Sequence, residues 1–204
     1  MIAIVDYGSG NVAAIADILK RLKVPHAVMA DHTQLRNADR YILPGVGAFD
    51  TTMRTLRDSG LVDVLNEEVH GRGKKIMGVC VGMQILGDSS DEGVLPGLGW
   101  IPGHIRRIDA STLINRPKLP HMGWNSIKTI GTSPLFEGVD VEQGFYFLHS
   151  YYFDAARKQD VIATMNYGSE LCCGVAMGNV YGFQFHPEKS HANGVAVFRN
   201  FSLL

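Results

Sequence analysis

The order of apolar and polar positions predicts alternating strands and helices in the first part of the chain. Ile2–Val5 is a short apolar run that ends in the turn Gly8-Ser9-Gly10, as is typical of a strand. From Asn11, a candidate N-cap, the apolar residues recur at helical spacing. Further strands are predicted at 27–30, 41–43 and 75–79, and further helices at 49–70, with a break near 59–60, and at 81–86. Strands that alternate with helices favour parallel pairing and a three-layer α/β core.

After about residue 90 the pattern changes, because turn signals lie closer together and the apolar runs between them are shorter. Short strands are predicted at 100–101, 104–108, 145–148, 161–165, 174–177 and 180–185, followed by an amphipathic C-terminal helix. We expect this half to add antiparallel strands to the mostly parallel central sheet of the first half. The sequence has no repeat and no linker, so that residues 1–204 are predicted to form one domain.

The composition argues against several classes of protein. With 19 Lys and Arg against 20 Asp and Glu, the chain has a formal net charge of −1 and lacks the basic excess of nucleic-acid-binding proteins. No apolar run approaches the ~20 residues that a membrane span needs, and the start lacks the basic region of a signal peptide. Three cysteines, two of them adjacent, fit neither a disulfide framework nor zinc spacing. We therefore expect a cytoplasmic protein without a nucleic-acid, membrane or metal-binding role.

Cys80 lies in the segment Gly78-Val79-Cys80-Val81-Gly82, between a predicted strand and a predicted helix. This is the G-x-S-x-G pattern of a nucleophile elbow, with cysteine in place of serine. A sharp turn from strand to helix would present the sulfur at the carboxyl end of a parallel sheet, where open α/β folds bind ligands. The N-terminus of the following helix favours a thiolate and offers free N–H groups to an oxyanion. A buried structural cysteine in a tight turn gives the same pattern, so that Cys80 is at this point a candidate nucleophile.

A nucleophilic cysteine needs a base, because an unperturbed thiol with a pKa of about 8.5 is mostly protonated at neutral pH. Among the eight histidines, His186 is the best candidate, since it ends an apolar strand and is followed by Pro187 and Glu188. Pro187 restricts the backbone, and Glu188 is near enough in sequence to orient the imidazole. Cys80, His186 and Glu188 would together form a catalytic triad.

The segment Pro44-Gly45-Val46-Gly47 follows the third predicted strand, and we expect it near the elbow at the same edge of the sheet. The glycines on both sides of Val46 leave a peptide N–H free to point into a site, as an oxyanion hole requires. A simple strand-to-helix turn has the same composition, so that this assignment depends on the elbow beside it.

The segment Gly8-Ser9-Gly10-Asn11-Val12-Ala13 matches the dinucleotide fingerprint G-x-G-x-x-A, and Asp31 ends the second predicted strand at about the expected distance. A nicotinamide-binding oxidoreductase is therefore an alternative interpretation. Such short matches are common by chance, and this one leaves the Cys80 elbow and the His186-Pro187-Glu188 segment unexplained.

Taken together, three segments resemble the class I, or triad, glutamine amidotransferases. They are Pro44-Gly45-Val46-Gly47, Gly78-Val79-Cys80-Val81-Gly82-Met83-Gln84 and Gly182-Phe183-Gln184-Phe185-His186-Pro187-Glu188. The resemblance spans nearly the whole chain. It extends to residues 6–11, 120–125, 149–152 and 188–190, which are similar to segments of stand-alone glutaminase subunits.

The resemblance implies a mechanism and a set of site residues. Cys80 would attack the side-chain amide of glutamine, His186 would move the proton, and Glu188 would orient His186. The family further implies an oxyanion hole made by backbone N–H groups at Val46, Gly47 and Val81. The residues expected to hold glutamine are Gly47, Gln84, Glu92, Ser150 and Tyr151. No cofactor and no metal are implied.

The resemblance also implies a partner. Ammonia would pass to a separate (β/α)₈-barrel synthase subunit, in a heterodimer that makes imidazole glycerol phosphate and AICAR in histidine biosynthesis. Asn11, Trp124 and Lys189 match positions near the subunit interface of the family. A related subunit that supplies ammonia to a different synthase, for example in surface-sugar amination, remains a second alternative, since the motifs barely distinguish the two.

Overall fold

The computed structural model describes residues 1–113 and 119–204, and these residues form one large sheet, two small sheets and flanking helices. The strands are β1 (Ile2–Val5), β2 (His26–Met29), β3 (Arg40–Gly45), β4 (Lys75–Cys80), β5 (Ser89–Ser90), β6 (Gly103–Arg107), β7 (His121–Asn125), β8 (Lys128–Thr129), β9 (Phe145–His149), β10 (Tyr151–Ala155), β11 (Val161–Tyr167), β12 (Ser169–Met177) and β13 (Val180–Phe183). The α-helices are α1 (Val12–Arg21), α2 (His32–Leu35), α3 (Phe49–Asp58), α4 (Leu61–Asn66), α5 (Val81–Gln84) and α6 (His191–Leu203). A π-helical turn, Glu67–Gly71, continues α4.

The large sheet has the strand order β2-β1-β3-β4-β13-β12-β11-β8. From β2 to β13 the neighbouring strands are parallel, whereas β12, β11 and β8 extend the sheet by antiparallel pairing. The small sheets are β10-β6-β5 and β7-β9. The predicted three-layer α/β fold, with antiparallel strands added by the second half, is confirmed.

The first half of the chain follows the apolar pattern of its sequence. All four residues of β1 are buried, and α1 buries Ile15, Ile18 and Leu19. Asn11 occupies the N-cap position of α1 as predicted, although its side chain makes no capping hydrogen bond. The predicted break near residues 59–60 is a left-handed Gly60, with φ 72°, between α3 and α4.

Several predicted strands have other ends in the structure, and one predicted strand is absent. β3 continues through Pro44 to Gly45, since proline tolerates an extended backbone at a strand end, and this brings Gly45 into register with Cys80. β13 ends at Phe183, before the predicted residue 185. Residues 100–101 form no strand, because both of their N–H groups donate to the carbonyl oxygen of Leu86.

Four strands were not predicted. Strands β5 and β8 have only two residues each, and β7 and β10 are rich in polar and aromatic residues without a continuous apolar run. The described part of the chain includes no helix long and apolar enough to cross a membrane. The cytoplasmic location and the organisation as one domain stay predictions.

Candidate active site

Cys80 lies at the end of β4, in the middle of the large sheet, where the chain turns sharply into α5. Its backbone has φ 56° and ψ −115°, a conformation that residues with a side chain rarely adopt. Gly82 is required at this turn, because a Cβ there would lie 2.0 Å from the carbonyl oxygen of Leu43 on β3. A Cβ on Gly78 would lie 2.5 Å from the carbonyl oxygen of Gly82. These glycines allow the ends of β3 and β4 and the start of α5 to pack closely around the sulfur.

His186 approaches the thiol of Cys80 from the segment that follows β13. The imidazole and this thiol line the same cavity and interact there, and the imidazole Nδ1 lies 2.9 Å from Glu188 Oε1. The side chains of His186 and Glu188 are only 4% and 2% exposed, so that water screens their interaction little. The structure therefore brings together the three residues that the sequence suggested as nucleophile, base and orienting carboxylate.

The charge of His186 is set by two opposing effects. Burial lowers the pKa of its imidazole, but hydrogen bonds and charge interactions with Cys80 and Glu188 outweigh burial and raise the pKa to about 10. The site therefore favours a protonated imidazole at neutral pH. An imidazolium in this position is the cation that a neighbouring thiolate requires.

The backbone around His186 is fixed by hydrogen bonds and by α6. His186 N–H donates to the carbonyl oxygen of Tyr146 at 2.9 Å. Ser190 Oγ donates to the carbonyl oxygen of His186 at 2.6 Å and accepts the N–H of Tyr146 at 3.0 Å. Helix α6 packs directly on this segment, because a Cβ on Gly194 would lie 1.7 Å from the carbonyl oxygen of Pro187. The position of the base thus depends on the C-terminal helix.

A cavity of about 300 Å³ opens beside Cys80 at the carboxyl edge of the sheet. Most of the residues singled out from the sequence line this cavity, namely Val46, Gly47, Cys80, Val81, Gln84, Glu92, Ser150, Tyr151, His186 and Lys189. Glu188 lies behind His186 and does not line the cavity, nor do Asn11 and Trp124. A concave site with a nucleophile, a base and convergent polar groups has the general form of an enzyme active site.

The turn between β3 and α3 carries two of the three predicted oxyanion donors. Val46 N–H donates to Ser9 Oγ at 3.0 Å, and Ser9 Oγ donates to the carbonyl oxygen of Val46 at 3.1 Å. Gly47 follows with φ 97°, a backbone conformation that favours glycine. Val81 begins α5, and the first N–H groups of a helix have no partner within it. In this structure, Val46 N–H is therefore engaged by Ser9, whereas Val81 N–H has the orientation of a helix N-terminus.

Two glutamine side chains connect the thiol with the cavity wall. Gln184 Nε2 lies 3.8 Å from Cys80 Sγ, and Gln184 Oε1 accepts a hydrogen bond from Gln84 Nε2 at 3.0 Å. Gln84 Nε2 also lies 3.4 Å from the carbonyl oxygen of Tyr151. On the other side of the cavity, Glu92 accepts the N–H of Phe49 at 2.8 Å, at the start of α3. The predicted substrate residues are thus held by contacts between distant parts of the chain.

Sequence reasoning missed two residues next to the sulfur. Gln184 stands within the segment that carried the family resemblance, so that its position in front of His186 was a usable signal. Leu148, whose carbonyl oxygen lies 4.0 Å from Cys80 Sγ, has no local mark in the sequence, because only the packing of β9 against the distant end of β4 brings it there.

The turn that matched a dinucleotide fingerprint has a structural explanation. Tyr7 OH donates to the carbonyl oxygen of Pro44 at 2.5 Å, and a Cβ on Gly10 would lie 2.4 Å from Pro44 Cβ. The turn Gly8-Ser9-Gly10 therefore packs against the end of β3. Close packing at Gly10 and the positive φ of 88° at Gly8 account for these glycines without a dinucleotide.

The other two cysteines lie on β12, away from the cavity. Both are buried, and burial raises the pKa of the Cys172 thiol to about 12 and that of Cys173 well above its ordinary range. All three cysteines are free thiols. Within residues 1–113 and 119–204, no group of three or more His, Cys, Asp or Glu side chains is arranged to hold a metal ion.

Exposed apolar side chains lie next to the cavity on the small sheet of β7 and β9. Met122 pairs with Leu148, and Trp124 pairs with Tyr146. Met122, Trp124 and Leu148 are 64%, 42% and 37% exposed, and we call these three residues the apolar rim. Lys189 Nζ lies 5.6 Å from the centre of the Tyr146 ring. Of the residues predicted for a subunit interface, Trp124 and Lys189 thus lie close to the same tyrosine.

Comparison with curated proteins identifies relatives along the whole chain. A protein of Bdellovibrio bacteriovorus named imidazole glycerol phosphate synthase subunit HisH is 48% identical over 202 residues, which cover 99% of both chains. Its namesake in Leptospira borgpetersenii is 45% identical over 204 residues, with 100% of both chains covered. A Pseudomonas aeruginosa protein named imidazole glycerol phosphate synthase subunit HisH 2 is 45% identical, with 98% of both chains covered.

Solved structures share the fold at low sequence identity. A crystal structure of a glutamine amidotransferase superimposes with a TM-score of 0.71 at 20% identity, covering 98% of this chain and 97% of the other. The structure of PurLQS from Thermotoga maritima gives a TM-score of 0.70 at 20% identity, with 98% and 96% covered. The family profile described as glutamine amidotransferase class-I matches residues 3–203. The chain therefore belongs to the class-I glutamine amidotransferases.

Proposed function

We propose that this protein is the glutaminase subunit of an imidazole glycerol phosphate synthase, the assembly named in its relatives, and that it serves histidine biosynthesis. The observation that carries the proposal is the contact of Cys80 with the His186–Glu188 pair inside a cavity of about 300 Å³. A strained cysteine, an imidazole and a carboxylate in this order are the components of a cysteine-based amide hydrolase.

In the proposed reaction, the Cys80 thiol gives its proton to His186, which forms the imidazolium that the site favours, and the resulting thiolate attacks the side-chain amide carbon of glutamine. The tetrahedral intermediate collapses when His186 gives its proton to the amide nitrogen. Ammonia then leaves, and a glutamyl thioester remains on Cys80. His186 next takes a proton from a water molecule, whose oxygen attacks the thioester carbon. The sulfur leaves as a thiolate, and glutamate is released.

Glu188 acts on the substrate through His186. Its oxygen at 2.9 Å holds a hydrogen on Nδ1 of the imidazole, and this leaves Nε2 to exchange the proton with the sulfur. The buried carboxylate also stabilises the imidazolium that forms when the thiol is deprotonated. We therefore assign Glu188 an orienting and charge-stabilising role.

The oxyanion of the tetrahedral intermediate requires donors next to the sulfur. Val81 N–H is suited to this role, because it stands directly after the nucleophile at the start of α5. Val46 can supply a second donor only if its N–H leaves Ser9, to which it now donates. The proposal therefore includes a rearrangement of the turn at residues 46–47 when glutamine or the partner binds.

The cavity offers complementary groups to glutamine. Glu92 supplies a carboxylate that suits the α-ammonium group of the substrate, and its position is fixed by the N–H of Phe49. Gln84 and the backbone at residues 150–151 form the opposite wall, and Gly47 leaves room at the mouth. We propose that these five residues hold glutamine with its amide next to Cys80.

The apolar rim suits the docking of a partner subunit. Leu148 lines the cavity, and the exposed Met122 and Trp124 lie on the strand paired with it, as is typical of apolar patches at protein interfaces. We propose that a (β/α)₈-barrel synthase subunit covers this rim and receives the ammonia, with Lys189 and Asn11 at the same contact. A closed route is needed, because ammonia that escapes into neutral water becomes ammonium and loses its nucleophilic lone pair.

The decisive experiment compares two nitrogen sources in the complex with the barrel subunit of the same organism. We expect the unmodified complex to form imidazole glycerol phosphate from glutamine, with release of glutamate. The Cys80→Ala complex should form no product from glutamine but should still form it from an ammonium salt, because only the glutaminase step is removed. Cys172→Ala is the matched control and should keep both activities, since its thiol is buried on β12.

Two outcomes would contradict the proposal. Glutamine-dependent synthesis by the Cys80→Ala complex at the unmodified rate would exclude Cys80 as the nucleophile. Stimulation of glutaminase activity by a different synthase, and not by the histidine-pathway subunit, would favour the related subunit that feeds another pathway.

A further inference from the structure

Two buried histidines lie beside the active site and have no part in the reaction described above. His121 on β7 and His149 on β9 are 4% and 6% exposed and lie opposite each other in the register of these strands. His121 Nδ1 lies 3.0 Å from His149 Nε2, and His149 Nδ1 lies 2.7 Å from the carbonyl oxygen of Tyr151. At the other end, Asn125 Nδ2 lies 3.3 Å from His121 Nε2. The four residues form a continuous series of hydrogen bonds, which we call the histidine chain.

One arrangement of protons satisfies the whole histidine chain. The carbonyl oxygen of Tyr151 only accepts, so that His149 Nδ1 carries the hydrogen and His149 Nε2 is an acceptor. His121 Nδ1 then donates to His149, and this leaves His121 Nε2 as the acceptor for Asn125. The Asn125 amide has the matching orientation, because its Nδ2 also donates to the carbonyl oxygen of Asn166 at 2.9 Å. Both imidazoles are therefore neutral, since a further proton on either ring would place two donors face to face.

The surroundings of the two rings favour the neutral form. Burial lowers the pKa of His121 to about 4, and this ring also stacks on Tyr167 with 3.9 Å between the ring centres. Burial lowers the pKa of His149 to about 3, although its bond to Tyr151 acts in the opposite direction, and the neighbouring His121 and His186 lower it further. Because His149 is neutral, it adds no second positive charge next to His186 and the thiol.

The histidine chain ends on the wall of the cavity. Its last acceptor, the carbonyl oxygen of Tyr151, also faces Gln84 Nε2 at the longer distance of 3.4 Å. Ser150 and Tyr151 both line the cavity, so that the orientation of this peptide shapes the site. Apolar side chains in place of the histidines would fill the same space, but they would leave the Tyr151 carbonyl with only the long bond to Gln84.

The other face of β7 is exposed. Alternation along the strand puts His121 and Asn125 on the inner face and Met122 and Trp124 on the outer face. Two members of the apolar rim and two members of the histidine chain therefore belong to one five-residue strand.

We propose that His121 and His149 are positioning residues that hold the Tyr151 carbonyl, and with it the wall at residues 150–151, in the orientation that binds glutamine. The inference rests on the proposed function, because it takes glutamine as the ligand of this cavity. Through β7, the histidine chain is also continuous with the strand that carries Met122 and Trp124 of the apolar rim.

Glutamine binding tests this role without turnover. Calorimetry on the Cys80→Ala protein, in complex with the synthase subunit, gives the Kd for glutamine. Adding His121→Phe removes both hydrogen bonds of this residue but keeps an aromatic ring for the stack on Tyr167. We expect the Kd to rise roughly tenfold, because His149 without a donor at Nε2 no longer keeps the tautomer and ring orientation that place its Nδ1 hydrogen on the Tyr151 carbonyl. Adding His121→Asn instead returns a donor to His149, and the Kd should stay within about threefold.

Kinetics and spectroscopy provide readouts that a merely structural role would not move. With Cys80 intact, we expect His121→Phe to raise the KM for glutamine roughly tenfold and to change kcat by less than about threefold. In the unsubstituted protein, ¹⁵N NMR of the imidazoles should find hydrogen on Nδ1 of both His121 and His149, with no titration between about pH 5.5 and 8.

Several results would overturn the inference. An unchanged Kd in His121→Phe, or an equal loss in His121→Phe and His121→Asn, excludes a positioning role through the hydrogen bond. If His121→Phe does not fold, the NMR measurement decides, since a titrating ring or the opposite tautomer contradicts the histidine chain. A Cys80→Ala complex that binds no glutamine at all would instead contradict the proposed function, so that the two failures are distinguishable.

Discussion

The two ends of β4 each bury a glutamate, but the partners of the two carboxylates differ. At the amino end, Glu68 in the π-helical turn is fully buried among three cationic side chains. At the carboxyl end, beside Cys80, Glu188 is paired with the imidazole of His186 at 2.9 Å. The cations around Glu68 are Arg36 at 3.4 Å, Arg72 at 3.4 Å and Lys74 at 2.5 Å.

The difference is whether the charge of the partner is fixed. Guanidinium and ammonium groups stay protonated around neutral pH, so that the Glu68 cluster is a permanent link between the π-helical turn and its neighbours. The charge of His186 changes in every cycle of the proposed reaction. We therefore expect Glu68, with its permanent cations, to contribute to folding stability. We expect Glu188, with its titratable partner, to contribute to the proposed reaction.

The largest effect on activity is expected at the carboxyl end. We expect His186→Ala to lower kcat for glutamine hydrolysis by about 10³–10⁴-fold, because it removes the proton carrier. Glu188→Gln should lower kcat less, by about 10–10²-fold, because an amide oxygen still accepts from Nδ1 but lacks the negative charge. Glutamate release by the complex measures both values.

The comparison between the two variants carries its own check. Each should bind the partner subunit as the unmodified protein does, because neither side chain belongs to the apolar rim. Equal losses of activity in both variants would mean that Glu188 does more than orient and stabilise His186.

At the amino end, we expect the opposite pattern. Glu68→Gln should lower the free energy of unfolding by about 2 kcal/mol, and the Tm by about 4–8 °C, because three cations lose their shared carboxylate. kcat should stay within about twofold. Glu67→Gln is the matched control, since Glu67 lies in the same turn and contacts Arg36 and Arg72 but is 45% exposed, and it should cost less than about 0.5 kcal/mol. Thermal unfolding measures the effect on stability, and glutamate release measures the effect on kcat. A tenfold loss of kcat in a folded Glu68→Gln protein would contradict a role of Glu68 in stability alone.

The smallest expected effect is a pH dependence confined to the carboxyl end. The pKa of His186 is raised to about 10 in the folded protein, above the ~6.5 of an unfolded histidine. Its contribution to stability is therefore fully present below about pH 6.5 and is lost as the pH rises towards about 10. Urea unfolding of the unmodified protein and of His186→Gln should give a stability difference that declines steadily over this range. The corresponding difference for Glu68→Gln should stay constant from pH 6.5 to about pH 9, and a parallel decline at both ends would contradict the distinction.

The parallel half of the fold was predictable because its signals are local. The apolar run of β1, the helical spacing after Asn11 and the glycine break at Gly60 each lie within one element and need no distant partner. The end of β3 was misjudged for the same reason, since Pro44 looks like a strand terminator until its pairing with Val79 is known. Local patterns therefore gave the elements but not all of their ends.

The second half was less predictable, because its strands depend on pairing over long distances. β7 has polar residues on its inner face and exposed apolar residues on its outer face, which reverses the usual expectation for a strand. The hydrogen bond between His121 and His149 arises only when β7 pairs with β9. No spacing in the sequence indicates that these two rings are joined by a hydrogen bond.

Candidate site residues were found where a motif concentrates several chemical requirements in a few positions. The elbow at Cys80 and the segment from His186 to Glu188 are of this kind. The hydrogen bond from Val46 N–H to Ser9 is not marked by such a motif. The composition of the two segments does not show whether this N–H donates to Ser9 or points into the cavity.

The contact of Gly194 with the carbonyl of Pro187 makes residue 194 a point at which a change outside the cavity reaches the base. A Cβ there would lie 1.7 Å from that carbonyl oxygen, so that any larger residue must displace either α6 or the segment that carries His186. A substitution that touches no residue of the cavity wall would thus disable the reaction by moving its proton carrier.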